Sequence, residues 1–308
     1  MTVTSAPTHP AHRGSIFVEE GEIISHEHHE GEQHILWVRA PRCAEHARAG
    51  MFAHLSCDPA LPMRRPLSIM RVNRQQGWVQ FLYKVVGQGT RALASRQTGD
   101  TLSVLGPIGQ GFSPDPARPR SLLLGGGVGI PPMVFLADQL RTDPAFNPFA
   151  ILGSEVPFPF QSRPSRILVP GLPDGVIATM PLLEDWGIPT RLTSSQGYAG
   201  CHAGFVTDLA RHWLDALGSE QRDEVQIFGC GPEPMLHAIA VLAREYALPA
   251  QIALEEYMAC AVGGCAGCVV KVHTEEGPAM KRVCVDGPVF NAAQIYPGST
   301  TADYSGGH

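Results

Sequence analysis

The sequence predicts a multi-domain protein: an antiparallel β-barrel, then an α/β parallel-sheet domain, then a small C-terminal cysteine module. Residues 15–114 hold short apolar or alternating runs cut by Gly and Pro, the pattern of a small antiparallel barrel. Residues 118–252 twice repeat strand, glycine turn and helix, which implies a parallel sheet covered by helices. Residues 253–290 carry Cys260, Cys265, Cys268 and Cys284, separated by gaps of four, two and fifteen residues. A chain of 308 residues has room for two or three such units.

Composition narrows the function classes. A hydrophobic fraction of 44% is ample for real cores. The net charge of −6 argues against nucleic-acid binding, which calls for a basic face. There is no apolar run of the ~18 residues that a membrane helix needs. Residues 1–14 lack an apolar signal region and are expected to be a disordered tail. Eight cysteines are too few for a disulfide scaffold in a chain this long, and the four grouped ones point to a reducing cytoplasm.

In the barrel, Ser15–Gly21, His34–Ala40 and Trp78–Val86 run at strand length. Two motifs stand among them. Arg65-Pro66-Leu67-Ser68 offers a guanidinium fork for a pyrophosphate, and its Ser hydroxyl suits a flavin edge. Tyr83-Lys84-Val-Val-Gly87-Gln-Gly89-Thr90 places two glycines before Thr90 and an expected helix at 91–96, an anion site at a helix start. Either motif alone is weak; their order and spacing together are more specific. His26-Glu27-His28-His29 reads as a solvated turn or a metal site.

In the second unit, Ser121–Leu124 leads into Gly125-Gly126-Gly127-Val128-Gly129 and a helix whose first turn holds Pro131 and Pro132. This departs from G-x-G-x-x-G, because Pro132 stands where a third glycine would be. Val225–Phe228 leads likewise into Gly229-Cys230-Gly231-Pro232. Both turns should lie at strand C-terminal ends, where open α/β sheets bind ligands; tight strand–helix packing is the plainer reading. Cys230 either lines a nicotinamide pocket or is a small buried hydrophobe. The Pro-rich excursion 157–173 has no assigned role.

The cysteine spacing matches the plant-type pattern that holds a [2Fe–2S] cluster. Two bridged irons need four soft anionic ligands, and the loop must turn N–H groups toward sulfur. Gly263, Gly264 and Gly267 are expected to give it that freedom. Structural zinc is the rival, although zinc ribbons show two C-x₂-C pairs and this chain has one. Residues 291–308 are expected to form a C-terminal tail.

Together these residues resemble the family of electron-transfer subunits of NAD-linked (type B) dihydroorotate dehydrogenase, within the ferredoxin–NADP⁺ reductase superfamily. The likeness spans about 15–290 and rests on the motifs above and on Arg282-Val-Cys284-Val-Asp-Gly-Pro-Val-Phe290. It implies an FAD barrel contacted through Arg65, Pro66, Leu67, Ser68, Leu82, Tyr83, Lys84, Gly89 and Thr90. It implies an NAD (or NADP) site at Gly126, Gly127, Gly129, Cys230, Gly231 and Pro232, and a cluster on Cys260, Cys265, Cys268 and Cys284. Ser68 is the candidate catalytic residue, as a tuner of the flavin. The implied partner is an FMN-containing dihydroorotate dehydrogenase catalytic subunit of pyrimidine synthesis. A reductase subunit of a hydrogenase, sulfur reductase or glutamate synthase, and a non-enzymatic zinc-binding regulator, are the alternatives.

Overall fold

The computed structural model describes residues 15–298. The tail expected at 1–14 and the last residues of that expected at 291–308 lie outside the described residues.

The first unit comprises β1 (Phe17–His29), β2 (Gln33–Arg39), α1 (Pro41–His46), β3 (Phe52–Leu55), β4 (Arg65–Asn73), β5 (Trp78–Lys84), α2 (Gln88–Ala94) and β6 (Thr101–Ile108). Its six strands close into an antiparallel barrel in the order β1-β2-β5-β4-β3-β6. Closure depends on β1, which pairs with β6 over Phe17–Glu22 and with β2 over Ile23–His29. Alternation sends Leu36, Val38, Ile69, Val79 and Phe81 inward, where all are fully buried. Helix α2 begins three residues before the expected start. The Thr90 hydroxyl accepts hydrogen bonds from the N–H groups of Val86 (3.0 Å) and Gly87 (3.2 Å), so the turn locks before Thr90.

The second unit comprises β7 (Arg120–Gly126), α3 (Ile130–Leu140), β8 (Asn147–Gly153), the short pair β9 (Arg163–Pro164) and β10 (Ala178–Thr179), α4 (Pro181–Asp185), β11 (Thr190–Thr193), α5 (Val206–Ala216), α6 (Ser219–Asp223), β12 (Val225–Cys230), α7 (Glu233–Glu245) and β13 (Ala250–Ala253). β7, β8 and β12 are nearly continuous apolar runs, as strands covered on both faces require. The third unit is a cysteine loop, the hairpin of β14 (Val269–Thr274) and β15 (Gly277–Arg282), then β16 (Val289–Asn291) and α8 (Ala292–Ile295). The hairpin fills the long gap between Cys268 and Cys284.

The sheet order is β11-β8-β7-β12-β13-β16, parallel except for β16. The chain leaves β7 for β8 on one side and returns for β12 on the other, so the topological switch point lies between β7 and β12. β16 covers the edge of β13, which brings residues 289–291 back into the nucleotide-domain sheet. The described part of the expected tail is therefore structured: α8 packs beside α7, and the Tyr296 carbonyl accepts a hydrogen bond from Arg244 at 2.9 Å. Three-residue strands carry too little periodicity to be seen in sequence.

One apolar core runs from the barrel interior through α3 to the near face of the sheet, and a second lies under α5 and α7. Arg71 on β4 bridges the units, 5.7 Å over Trp78 and 5.3 Å over Trp186. A third cluster seats the cysteine module on Phe52 and Ile108 of the barrel.

Candidate functional site

Both glycine turns emerge at the switch point. Cys230 lies opposite Gly125 in the β7–β12 ladder, so the turns leave adjacent strand ends together. A Cβ at Gly129 would overlap the Cys230 backbone carbonyl, and one at Gly231 would come within 2.6 Å of Met235 Sδ. Gly126 also abuts Met235. The plainer packing reading thus accounts for these three. Gly127 differs: its φ is +54°, and open space lies where a Cβ would point. Bare backbone there, at the start of α3, lets a phosphate-bearing ligand approach. Pro232 opens α7 on the neighbouring turn. The Cys230 side chain is fully buried, so of its two readings the structure favours the small buried hydrophobe.

The barrel motifs divide by strand alternation. From the Ile69–Phe81 pair, Leu67 and Tyr83 fall on the inner face, with Pro66, Ser68, Leu82 and Lys84 on the outer face. Strand β5 approaches the Gly127–Gly129 turn, so this outer face adjoins the nucleotide turns. Among the described residues the Ser68 hydroxyl has no hydrogen-bond partner, which leaves it available to a ligand. Arg65 lies directly across Gly89, where any Cβ would overlap its guanidinium. A guanidinium held beside bare backbone suits a flavin pyrophosphate. Two side chains of these motifs are engaged within the fold. The Tyr83 ring is stacked on His34 inside the barrel at 5.1 Å, and its hydroxyl meets His26 Nε2 at 2.8 Å. The Thr90 hydroxyl is spent within its own turn, where it also donates to the Gly87 carbonyl. The histidine run is part of the same packing: His26 Nδ1 donates to the Arg96 carbonyl, and His28 and His34 are linked at 3.2 Å.

The cysteine loop follows β13 directly. Partial burial pushes the Cys260 thiol up, but the N–H groups of Val262, Cys265 and Gly264 and the Cys265 thiol draw it down to about 7. Backbone N–H groups aimed at sulfur are what an anionic iron–sulfur ligand set requires. The Gly267 N–H points at Cys265 Sγ at 3.4 Å. Left-handed backbone does occur in the loop, at Gly263 (+82°) but also at Ala261 (+55°) and Ala266 (+53°), and not at Gly264 or Gly267. Cys260 interacts with Cys265, and Cys284 interacts with both Cys268 and Cys260; burial and the Cys268 contact, with a smaller contribution from Cys260, push Cys284 up to about 12. Among the described residues no three His, Cys, Asp or Glu side chains are grouped to hold one metal ion. Four thiols supplied by one loop and the end of its hairpin suit two bridged irons.

Two residues had no assigned role in the sequence. Glu255 follows β13 beside Cys230; it keeps solvent contact, and desolvation by the surrounding protein raises its pKa. A carboxyl with a raised pKa near the nucleotide turns is a candidate functional group. Its sequence context, Leu254-Glu255-Glu256-Tyr257, looks like a polar linker. Arg282 donates to the Gly263 carbonyl at 3.1 Å and pairs with Asp286 at 3.6 Å, clamping the cysteine loop to the hairpin.

A flavin-type barrel, a doubly wound nucleotide sheet and a four-thiol loop define a ferredoxin reductase-like oxidoreductase with its own iron–sulfur module. The comparisons carry this to a family. The profile of the iron-sulfur cluster binding domain of dihydroorotate dehydrogenase B matches residues 255–296. The chain is 36% identical over 259 residues to the dihydroorotate dehydrogenase B (NAD(+)) electron transfer subunit of Bacillus caldolyticus, spanning 82% of this chain and 88% of that protein. It is 32% identical over 261 residues to the same subunit of Desulforamulus reducens, spanning 83% and 89%. An NADH-dependent reduced ferredoxin-NADP oxidoreductase structure superposes with a TM-score of 0.72 at 26% identity, over 89% of each chain. A Neisseria gonorrhoeae ferredoxin NADP⁺ reductase shares the fold at a TM-score of 0.52 and 15% identity, over 74% of this chain and 91% of that one. The chain belongs to the family of dihydroorotate dehydrogenase B electron-transfer subunits.

Proposed function

We propose that this chain is the electron-transfer subunit linking an FMN-containing dihydroorotate dehydrogenase to NAD⁺ in cytoplasmic pyrimidine synthesis, with FAD and a [2Fe–2S] cluster as its cofactors. The observation that carries the reading is the placement of the four-thiol loop. It rises from β13, the strand beside β12, so thiols and glycine turns share one end of one sheet. When bound, FAD exchanges two electrons with a nicotinamide and one at a time with an iron–sulfur cluster, which supplies single-electron exchange.

The chain's own residues position these groups. Cys260, Cys265, Cys268 and Cys284 would hold the cluster, with loop N–H groups and Arg282 offsetting its negative charge. Arg65 and Gly89 would hold the flavin pyrophosphate, while Ser68 would donate a hydrogen bond at the flavin edge. Gly127 and the start of α3 would take the nucleotide pyrophosphate. Glu255 would hold a proton beside the nicotinamide. Cys265 is exposed, and the module also exposes Tyr257 (95%), Val262 (50%) and Met280 (66%), apolar surface suited to a docked catalytic subunit.

The test is metal and flavin analysis of anaerobically purified protein. About two irons, two sulfides and one FAD per chain are expected. Zinc without flavin would overturn the proposal. Among the described residues no helix is long and apolar enough to cross a membrane.

A further inference from the structure

Nothing in the sequence motifs separates NAD from NADP; the sheet does. If the nucleotide pyrophosphate lies at Gly127 and the start of α3, the sheet offers two directions from β7. Toward β12 and β13 lie Cys230, Glu255 and the cysteine module, the redox half. Toward β8 and β11 lies the other half, where the adenosine must go. β8 and β11 end in register, Gly153 opposite Thr193, so their loops leave side by side. Strand spacing of about 4.8 Å puts these loops roughly 5–10 Å from the β7 turn, one nucleoside away.

Two residues beyond each strand end stand Glu155 and Ser195. The Glu155 carboxylate accepts a short hydrogen bond from the Ser195 hydroxyl and another from Gln196 Nε2 at 3.2 Å, and the Ser195 N–H lies at 3.5 Å. Glu155, Ser195 and Gln196 are all exposed. Every one of these partners is neutral, so the carboxylate is held in place with its charge uncompensated. The same loops carry Phe158 and Tyr198, half-buried with ring centroids 6.3 Å apart, an apolar floor of the kind a planar base requires. Neither 153–162 nor 193–201 contains a Lys or Arg, the residue types that accommodate a ribose 2′-phosphate.

We infer that Glu155, oriented by Ser195 and Gln196, accepts the adenosine-ribose hydroxyls of the nucleotide and selects NAD(H) against NADP(H). A carboxylate rewards a free 2′-hydroxyl with a charge-assisted hydrogen bond and repels a 2′-phosphate. The inference rests on the nucleotide-site reading above and adds to it the specificity residue. It also gives the start of the 157–173 excursion a place, as one wall of the adenosine subsite.

Calorimetry on the flavin-loaded protein, with ADP-ribose and 2′-phospho-ADP-ribose as probes, tests this, alongside steady-state NADH and NADPH oxidation by a dye. The wild type should bind ADP-ribose at least tenfold more tightly than its 2′-phosphate. Glu155→Gln should weaken ADP-ribose about tenfold and bring the two probes within about threefold of each other. On NADH it should raise KM with kcat retained. An unchanged preference in Glu155→Gln, flavin content intact, would overturn the inference alone. A wild type that binds neither probe would overturn the nucleotide-site reading itself. Should Glu155→Gln lose its flavin, Glu155→Asp substitutes: still charged but shorter, it should weaken ADP-ribose while continuing to exclude the 2′-phosphate. Unchanged ADP-ribose binding in that variant would equally overturn the inference.

Discussion

Cys230 ends β12 and Cys260 lies beyond the end of the neighbouring parallel strand β13, yet the protein gives them opposite chemistry. Burial raises the Cys230 thiol far above its ordinary range, and the Glu255 carboxyl beside it pushes further. Around Cys260 the chain turns back on itself through left-handed residues and directs N–H groups at sulfur, which lowers that thiol to about 7. At Cys230 depth leaves the thiol a small inert hydrophobe, whereas at Cys260 several directed backbone donors suit the sulfur to ligation.

The largest test of that contrast is substitution of each sulfur. Cys260→Ala should lose nearly all iron and sulfide while retaining flavin, whereas Cys230→Ala should keep both at wild-type levels. Equal iron in the two variants would break the comparison. Next come the glycines of the two regions. Gly129→Ala drives a Cβ into the Cys230 carbonyl and should cost about 1–3 kcal/mol, seen as a fall of several degrees in Tm. Gly264→Ala meets open space and should change Tm little. A smaller effect is expected for Arg282→Ala, which removes the hydrogen bond to the Gly263 carbonyl, worth about 1 kcal/mol. Its cluster should bleach several-fold faster under a chelator, with Lys partly restoring the rate.

Last is pH, which asks whether burial silences a base as it silences Cys230. Burial, with Arg64 beside it, lowers His54 from 6.5 to about 4, and both ring nitrogens are buried without partners among the described residues. Between pH 6.5 and 4 the unfolded chain binds the proton and the folded one does not, so stability should fall as pH drops through that window. His54→Leu should flatten this slope in denaturant titrations at pH 7, 6 and 5. An unchanged slope would leave buried His34, also lowered to about 4, as its main source.

Much of the candidate site is legible in the sequence because its signals are local. Four soft ligands at fixed spacing, glycines between an apolar run and a helix, and an Arg-x-x-Ser pair each act within a few residues of chain. What the sequence hid was direction. Tyr83 and Leu82 are adjacent in sequence, but strand alternation puts one ring inside the barrel and the other side chain on its outer face. Gly126, Gly127 and Gly129 look interchangeable, yet only Gly127 is open. Glu155 and Glu255 carry no motif, since the roles proposed for them depend on strand ends far apart in the chain.

By itself, then, the sequence determined the kinds of chemistry present: the thiol set, the bare backbone turns and the alternation that closes a barrel. The tertiary structure decided which of those groups face one another. Only the switch point between β7 and β12 brings the two glycine turns together, and only the β8–β11 register sets Ser195 against Glu155. The physical reason is range. Local backbone preferences are written within a few residues, whereas a carboxylate's hydrogen bonds, a thiol's depth and a glycine's open side depend on parts of the chain dozens of residues away.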